Sequence, residues 1–79
     1  MQVIFVQIKC AVGKSYDVAE GLVDIEGVSE VYSISGSYDL LIKCYLVTEE
    51  DVGRFVNERI HKVAGITDTM TTIAFNAFS

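Results

Sequence analysis

Residues 2–12, QVIFVQIKCAV, carry apolar side chains at both parities. Successive strand side chains point to opposite faces. Val3 and Phe5 therefore share one face, and Ile4, Val6, Ile8 and Cys10 share the other. β-Branched and aromatic residues without a breaker predict a strand. Apolar character on both faces predicts burial on both sides. Gly13-Lys14-Ser15 breaks this run, with Ser15 placed as a helix N-cap. Val18, Ala19, Leu22 and Val23 follow at helical spacing, and the predicted helix ends near Ile25. Gly27 suits the position just beyond its C-terminus.

Residues 28–35, VSEVYSIS, and 38–47, YDLLIKCYLV, predict two more strands joined by a tight Gly36-Ser37 turn, hence antiparallel neighbours. The second is again apolar on both faces in its middle. Thr48-Glu49-Glu50-Asp51 has the form of a capping box with Asp in the last place. Val52, Phe55, Val56, Ile60 and Val63 mark the buried stripe of a second helix, stopped by Gly65. Residues 66–78 predict a fourth strand, threonine-bearing early and apolar late.

Ile25-Glu26-Gly27-Val28 and Val63-Ala64-Gly65-Ile66 repeat one helix-to-strand pattern. Two strand-helix-strand units make a split β-α-β arrangement. The predicted fold is α+β and ferredoxin-like, in the order β-α-β-β-α-β. It has a four-stranded antiparallel sheet with two helices on one face, as in dimeric α+β barrels. Residues 1–79 form one domain.

Composition adds a partner to this picture. A chain of 79 residues buries little more than roughly 60% of the surface it exposes when unfolded, yet 51% of its residues are hydrophobic. No run approaches the roughly 18 apolar residues of a membrane span. The second sheet face is therefore expected to be covered by another copy of the chain. With 11 acidic residues against 6 scattered basic ones, direct nucleic-acid binding is not expected, since it depends on neutralising phosphates. The first residues show no signal-peptide pattern, so a cytoplasmic setting is expected, with Cys10 and Cys44 as reduced core thiols. One histidine and no Cys-x-x-Cys spacing give no basis for a metal or cofactor.

Gly36-Ser37-Tyr38-Asp39 is the most informative segment. Read blandly, it is a hairpin turn with a solvated Asp39 at a strand start. Read functionally, Gly36 lets a ligand approach the backbone, Tyr38 can wall a pocket, and Asp39 is a carboxylate suited to an ammonium. The threonines before Ile73 read blandly as good strand formers. His61 falls on the polar side of the second helix and reads as a solvated surface residue.

Taken with the element order, the segment VYSISGSYDLLIK resembles the effector-binding half of Lrp/AsnC-type regulators over the whole chain. The resemblance implies dimers built by facing sheets, rings of dimers, and a small effector, usually an amino acid, held between them. It places Gly36, Tyr38 and Asp39 in the matching turn, and Ile25, Gly27 and Val28 in the matching helix-to-strand loop. Thr69 and Thr71 fall in the matching last strand. Apolar walls such as Leu22, Ile25 and Val28 would set side-chain choice. The helix-turn-helix half has no counterpart in the sequence, so what carries over is effector binding and assembly, alone or with full-length relatives. Two alternatives compete. A small cofactor-independent α+β barrel enzyme, of monooxygenase or isomerase type, would need a general base in a closed pocket. An ACT-type amino-acid domain would leave the Gly-x-Tyr-Asp turn unexplained.

Overall fold

The computed structural model describes residues 1–79. Its elements are β1 (Gln2–Cys10), α1 (Ser15–Val23), β2 (Val28–Ser33), β3 (Leu40–Leu46), α2 (Val52–Phe55), a π-helical turn (Val56–Ile60) and β4 (Ile66–Ala74). The strands form one antiparallel sheet in the order β2-β3-β1-β4. This is the expected ferredoxin-like arrangement.

The two parities of β1 sort as the hydrophobic pattern requires. Ile4, Val6, Ile8 and Cys10 are buried, together with Leu40, Ile42, Cys44 and Leu46 of β3. Register pairs them directly, Ile4 with Cys44, Val6 with Ile42, and Ile8 with Leu40. Val18 and Leu22 of α1, and Phe55, Val56 and Ile60 of the second helix, close the core over this face. Each such side chain removed from water contributes about 1.5–3 kcal/mol. The opposite face carries Val3 and Phe5 from β1 and Leu41, Lys43 and Tyr45 from β3, all only partly covered. No element of the chain packs on it.

Gly27 and Gly65 perform the repeated turn in the same way. Both have φ of +99°, where a side chain is strained. A Cβ on Gly65 would stand 2.9 Å from Val18 Cγ2, and one on Gly27 3.1 Å from Leu46 Cδ2. These glycines let the helix-to-strand connections lie flat on the core.

Several boundaries differ from the sequence expectation. Ser15 is the first helical residue rather than the cap; Lys14 holds the N-cap position and offers no side-chain acceptor. The capping box at Thr48 does not form: Asp51 is the N-cap, and its Oδ1 accepts the Arg54 amide at 3.0 Å. The second helix does not stay α-helical: the His61 amide reaches back to the Val56 carbonyl at 2.9 Å, which makes a wide π turn. The β2–β3 connection is a six-residue loop, residues 34–39, closed by the Ile34 amide donating to the Asp39 carbonyl. β4 ends at Ala74 because Val3, its partner there, is almost the first residue of β1. Phe75 and Phe78 beyond it are exposed.

Candidate functional site

The expected site residues fall into three places. Gly36, Tyr38 and Asp39 lie in the β2–β3 loop. Ile25, Gly27 and Val28 lie at the start of β2, the opposite end of that strand. Thr69 pairs with Ile8, which on its other side pairs with Leu40. Thr69 is thus two strand spacings, roughly 10 Å, across the sheet from the residue after Asp39. Thr71 pairs with Val6, one pleat nearer the middle. A single chain brings Asp39 and Thr69 to one end of the sheet and leaves the Gly27 loop at the other.

Asp39 has a structural task. Its Oδ2 accepts the Cys10 amide at 2.7 Å, and its own amide donates to the Ile8 carbonyl at 2.9 Å. The carboxylate therefore satisfies a backbone donor where β1 leaves β3, and Oδ1 is its remaining oxygen. Gly36 has φ of +106° with open space where a Cβ would stand, so the loop tip is accessible. Tyr38 is half-buried.

At the other end, the Gly27 carbonyl accepts the Tyr45 amide at 2.8 Å. Ile25 and Val28 pack against the core. Leu22 is fully buried, so it offers no wall to a ligand. Gly27 borders a cleft of about 260 Å³ with Glu26, Leu46, Val47, Glu50 and Arg59.

A bulge between Lys9 and Cys10 shifts the β1–β4 register. It brings Ile66 and Thr69 to the same sheet face, three residues apart, where strict alternation would separate them. The π turn ends against this stretch. A cleft of about 290 Å³ results, lined by His61, Ile66, Thr67, Asp68 and Thr69. His61 Nε2 and Thr69 Oγ1 stand 2.8 Å apart. Thr67 donates its hydroxyl to the Lys9 carbonyl at 3.1 Å, and Asp68 Oδ1 accepts the Thr69 amide at 2.9 Å. His61 is exposed, as its helix position suggested, but it is tied to β4. Neither the bulge nor the π turn leaves a mark in hydrophobic spacing, so sequence reasoning did not join His61 and Asp68 to Thr69.

The open sheet face holds a third, larger and mostly apolar depression of about 790 Å³, lined in part by Val3, Phe5, Tyr45, Ala74 and Phe75. Lys43 lies among these residues. Its ammonium is 5.1 Å from the Tyr45 ring centre, 6.0 Å from that of Phe5, and 3.9 Å from Glu30. The adjacent Tyr45 hydroxyl holds the Lys43 pKa above its usual value. Tyr32 donates its hydroxyl to Glu30, and that bond raises the phenol's pKa. Lys43, Glu30 and Tyr32 are thus spent on one another.

Comparison with known proteins decides what this fold belongs to. Residues 3–79 match the model of the Lrp/AsnC ligand binding domain. The chain belongs to the Lrp/AsnC family. Within it, the HTH-type transcriptional regulator FL11 of Pyrococcus abyssi is 35% identical over 69 residues, which are 87% of this chain and 45% of FL11. The crystal structure of FFRP-DM1 is 36% identical with a TM-score of 0.87, covering 95% of this chain and 100% of that one. TTHA0845 of Thermus thermophilus is 30% identical with a TM-score of 0.91, covering 100% and 99%. The chain spans about two-fifths of the curated regulators it matches, 39% to 45% of their length. Its 79 residues contain the Lrp/AsnC ligand-binding fold and no helix-turn-helix pair. No helix is long and apolar enough to cross a membrane.

Proposed function

We propose that this Lrp/AsnC domain binds a small-molecule effector, an amino acid, and assembles with copies of itself without catalysing a reaction. The observation that carries the reading is the match of residues 3–79 to a ligand-binding domain. The uncovered apolar sheet face supports assembly, because an exposed patch of this kind marks a protein contact. A fold neighbour only 12% identical, a transcriptional regulator of Neisseria meningitidis, is described as an L-Met complex. That likeness speaks to fold, and the ligand is that protein's own.

Gly36, Tyr38 and Asp39 are proposed to meet Ile25, Gly27 and Val28 of another copy, since one chain holds them at opposite ends of β2. Thr69 and Thr71 supply hydroxyls from β4. Full-length Lrp/AsnC regulators are proposed partners through the same surfaces. The enzyme alternative has little support: the one histidine hydrogen-bonds a threonine in an open cleft, far from the closed pocket a general base requires.

A thermal-shift screen of the proteinogenic L-amino acids, with light scattering on the same samples, tests this reading. A ligand that binds only the folded state raises the melting temperature by mass action. The expected result is a selective rise with one chemical class. A stable oligomer that responds to none of them would overturn the amino-acid reading.

A further inference from the structure

We propose that the segment after β4, residues 75–79, crosses to a second copy of the chain and seats Phe78 in the depression on that copy's open sheet face. This rests on the assembly reading above, and names the segment that fills the contact and its seat.

Its own chain gives this segment little to hold. β4 reaches its last partner at Ala74, which pairs with Val3, and only Met1 and Gln2 precede Val3. Residues 75–79 make no backbone hydrogen bond to the rest of the chain. Phe75 is 90% and Phe78 96% exposed. Residues 74–79, AFNAFS, carry no charged side chain to keep these rings in water. Aromatic rings are the side chains that gain most from burial at a protein contact.

The depression matches them. Val3, Phe5 and Tyr45 give it an apolar wall with two aromatic rings, against which a third ring can pack edge to face. Phe75, Asn76 and Ala77 already line its rim, yet in the single chain both phenylalanine rings stay in solvent. A facing copy supplies a second, identical depression. In an extended segment residue 78 has the parity of Ala74, which stands beside Val3 on the open face. The step from Ala74 to Phe78 spans at most about 14 Å, and facing sheets pack about 10 Å apart. The segment is therefore long enough to reach the opposite sheet. A twofold contact presents the same patch from both copies, so each copy gives one ring and receives one.

Light scattering over a dilution series compares wild type, Phe78→Ser and Phe78→Leu. The position is exposed, so both variants are expected to keep the wild-type circular dichroism. Phe78→Ser is expected to weaken self-association at least about tenfold, and Phe78→Leu, which stays apolar, by less than about threefold. NMR on uniformly labelled wild type, and on a mixture of labelled and unlabelled chains, then locates the ring. The expected result is cross-peaks between the Phe78 ring of one copy and the Val3 methyl groups of the other. Cross-peaks confined to one chain would mean that the segment folds back on its own sheet, which overturns the exchange and leaves assembly standing. Unaltered association of Phe78→Ser, in an oligomer that Phe5→Asp dissociates, also overturns it: the sheets then face each other without the segment. A monomeric wild type overturns the exchange and the assembly reading together.

Discussion

Asp39 shows how one carboxylate can be read two ways. Beside Gly36 and Tyr38 it looks like a ligand group; in the fold it accepts the Cys10 amide. Removing it leaves a half-buried donor unpaired, which costs about 1–2 kcal/mol. Asp39→Ala is therefore expected to lower the urea unfolding free energy by about that amount, with Asp39→Asn losing less because an amide oxygen can still accept. Equal stability of Asp39→Ala and wild type would remove this role. Cys44 gives a second test at this scale. Fully buried between Ile4 and Val28, its thiol is pushed from 9.0 up to about 11 by desolvation. Above pH 9 the unfolded chain releases this proton while the folded chain keeps it. The stability present below pH 9 is therefore lost as pH rises towards 11, by about 3 kcal/mol in all. Burial, then the nearby Asp39 charge, also raises Cys10, so the slope of wild type against Cys44→Ala isolates Cys44. Matching slopes would contradict the assignment. The burial of both thiols was legible in the strand pattern; the Asp39–Cys10 bond was not, because it joins residues 29 apart.

At the scale of elements, hydrophobic period located every strand and helix and missed what lies between periods. The alternation in residues 2–10 and the paired glycines at 27 and 65 were enough to set the order and the sheet. The π turn escaped because Val56 and Ile60 are four apart, as in an α-helix, although the backbone between them is wider. The bulge at Lys9/Cys10 escaped because it changes pairing and not composition. The loop before α2 escaped for a different reason: Thr48 and Asp51 are both good caps, and sequence cannot choose between them. The structure chooses Asp51. Asp51→Ala is expected to destabilise the fold by about 1 kcal/mol. Thr48→Ala, at an exposed turn position, should change it by less than about 0.5 kcal/mol. Denaturant midpoints measure both, and the reverse order would restore the capping box.

At the scale of the molecule, the two faces of one sheet make different demands. Ile4 and Phe5 are neighbours in sequence. Ile4 is fully buried under the helices, and Phe5 lies on the open face. A charge at Ile4 would be buried without a partner, so Ile4→Asp is expected to prevent folding. A charge at Phe5 meets water in the single chain and is buried only if a second copy covers the sheet. Phe5→Asp is therefore expected to keep the wild-type circular dichroism while weakening self-association at least about thirtyfold, the scale of a central interface residue. Light scattering at micromolar concentration reads the result as a fall in mass. Salt separates an apolar interface from an ionic one. Lys43 already has Glu30 and two aromatic rings as partners, so few free charges remain on this face for screening to act on. The wild-type oligomer is expected to persist at high ionic strength. A wild-type chain that is already monomeric would leave Phe5→Asp without effect and refute facing-sheet assembly. An oligomer that survives Phe5→Asp would move the contact to another surface, and one that dissolves in salt would make it ionic.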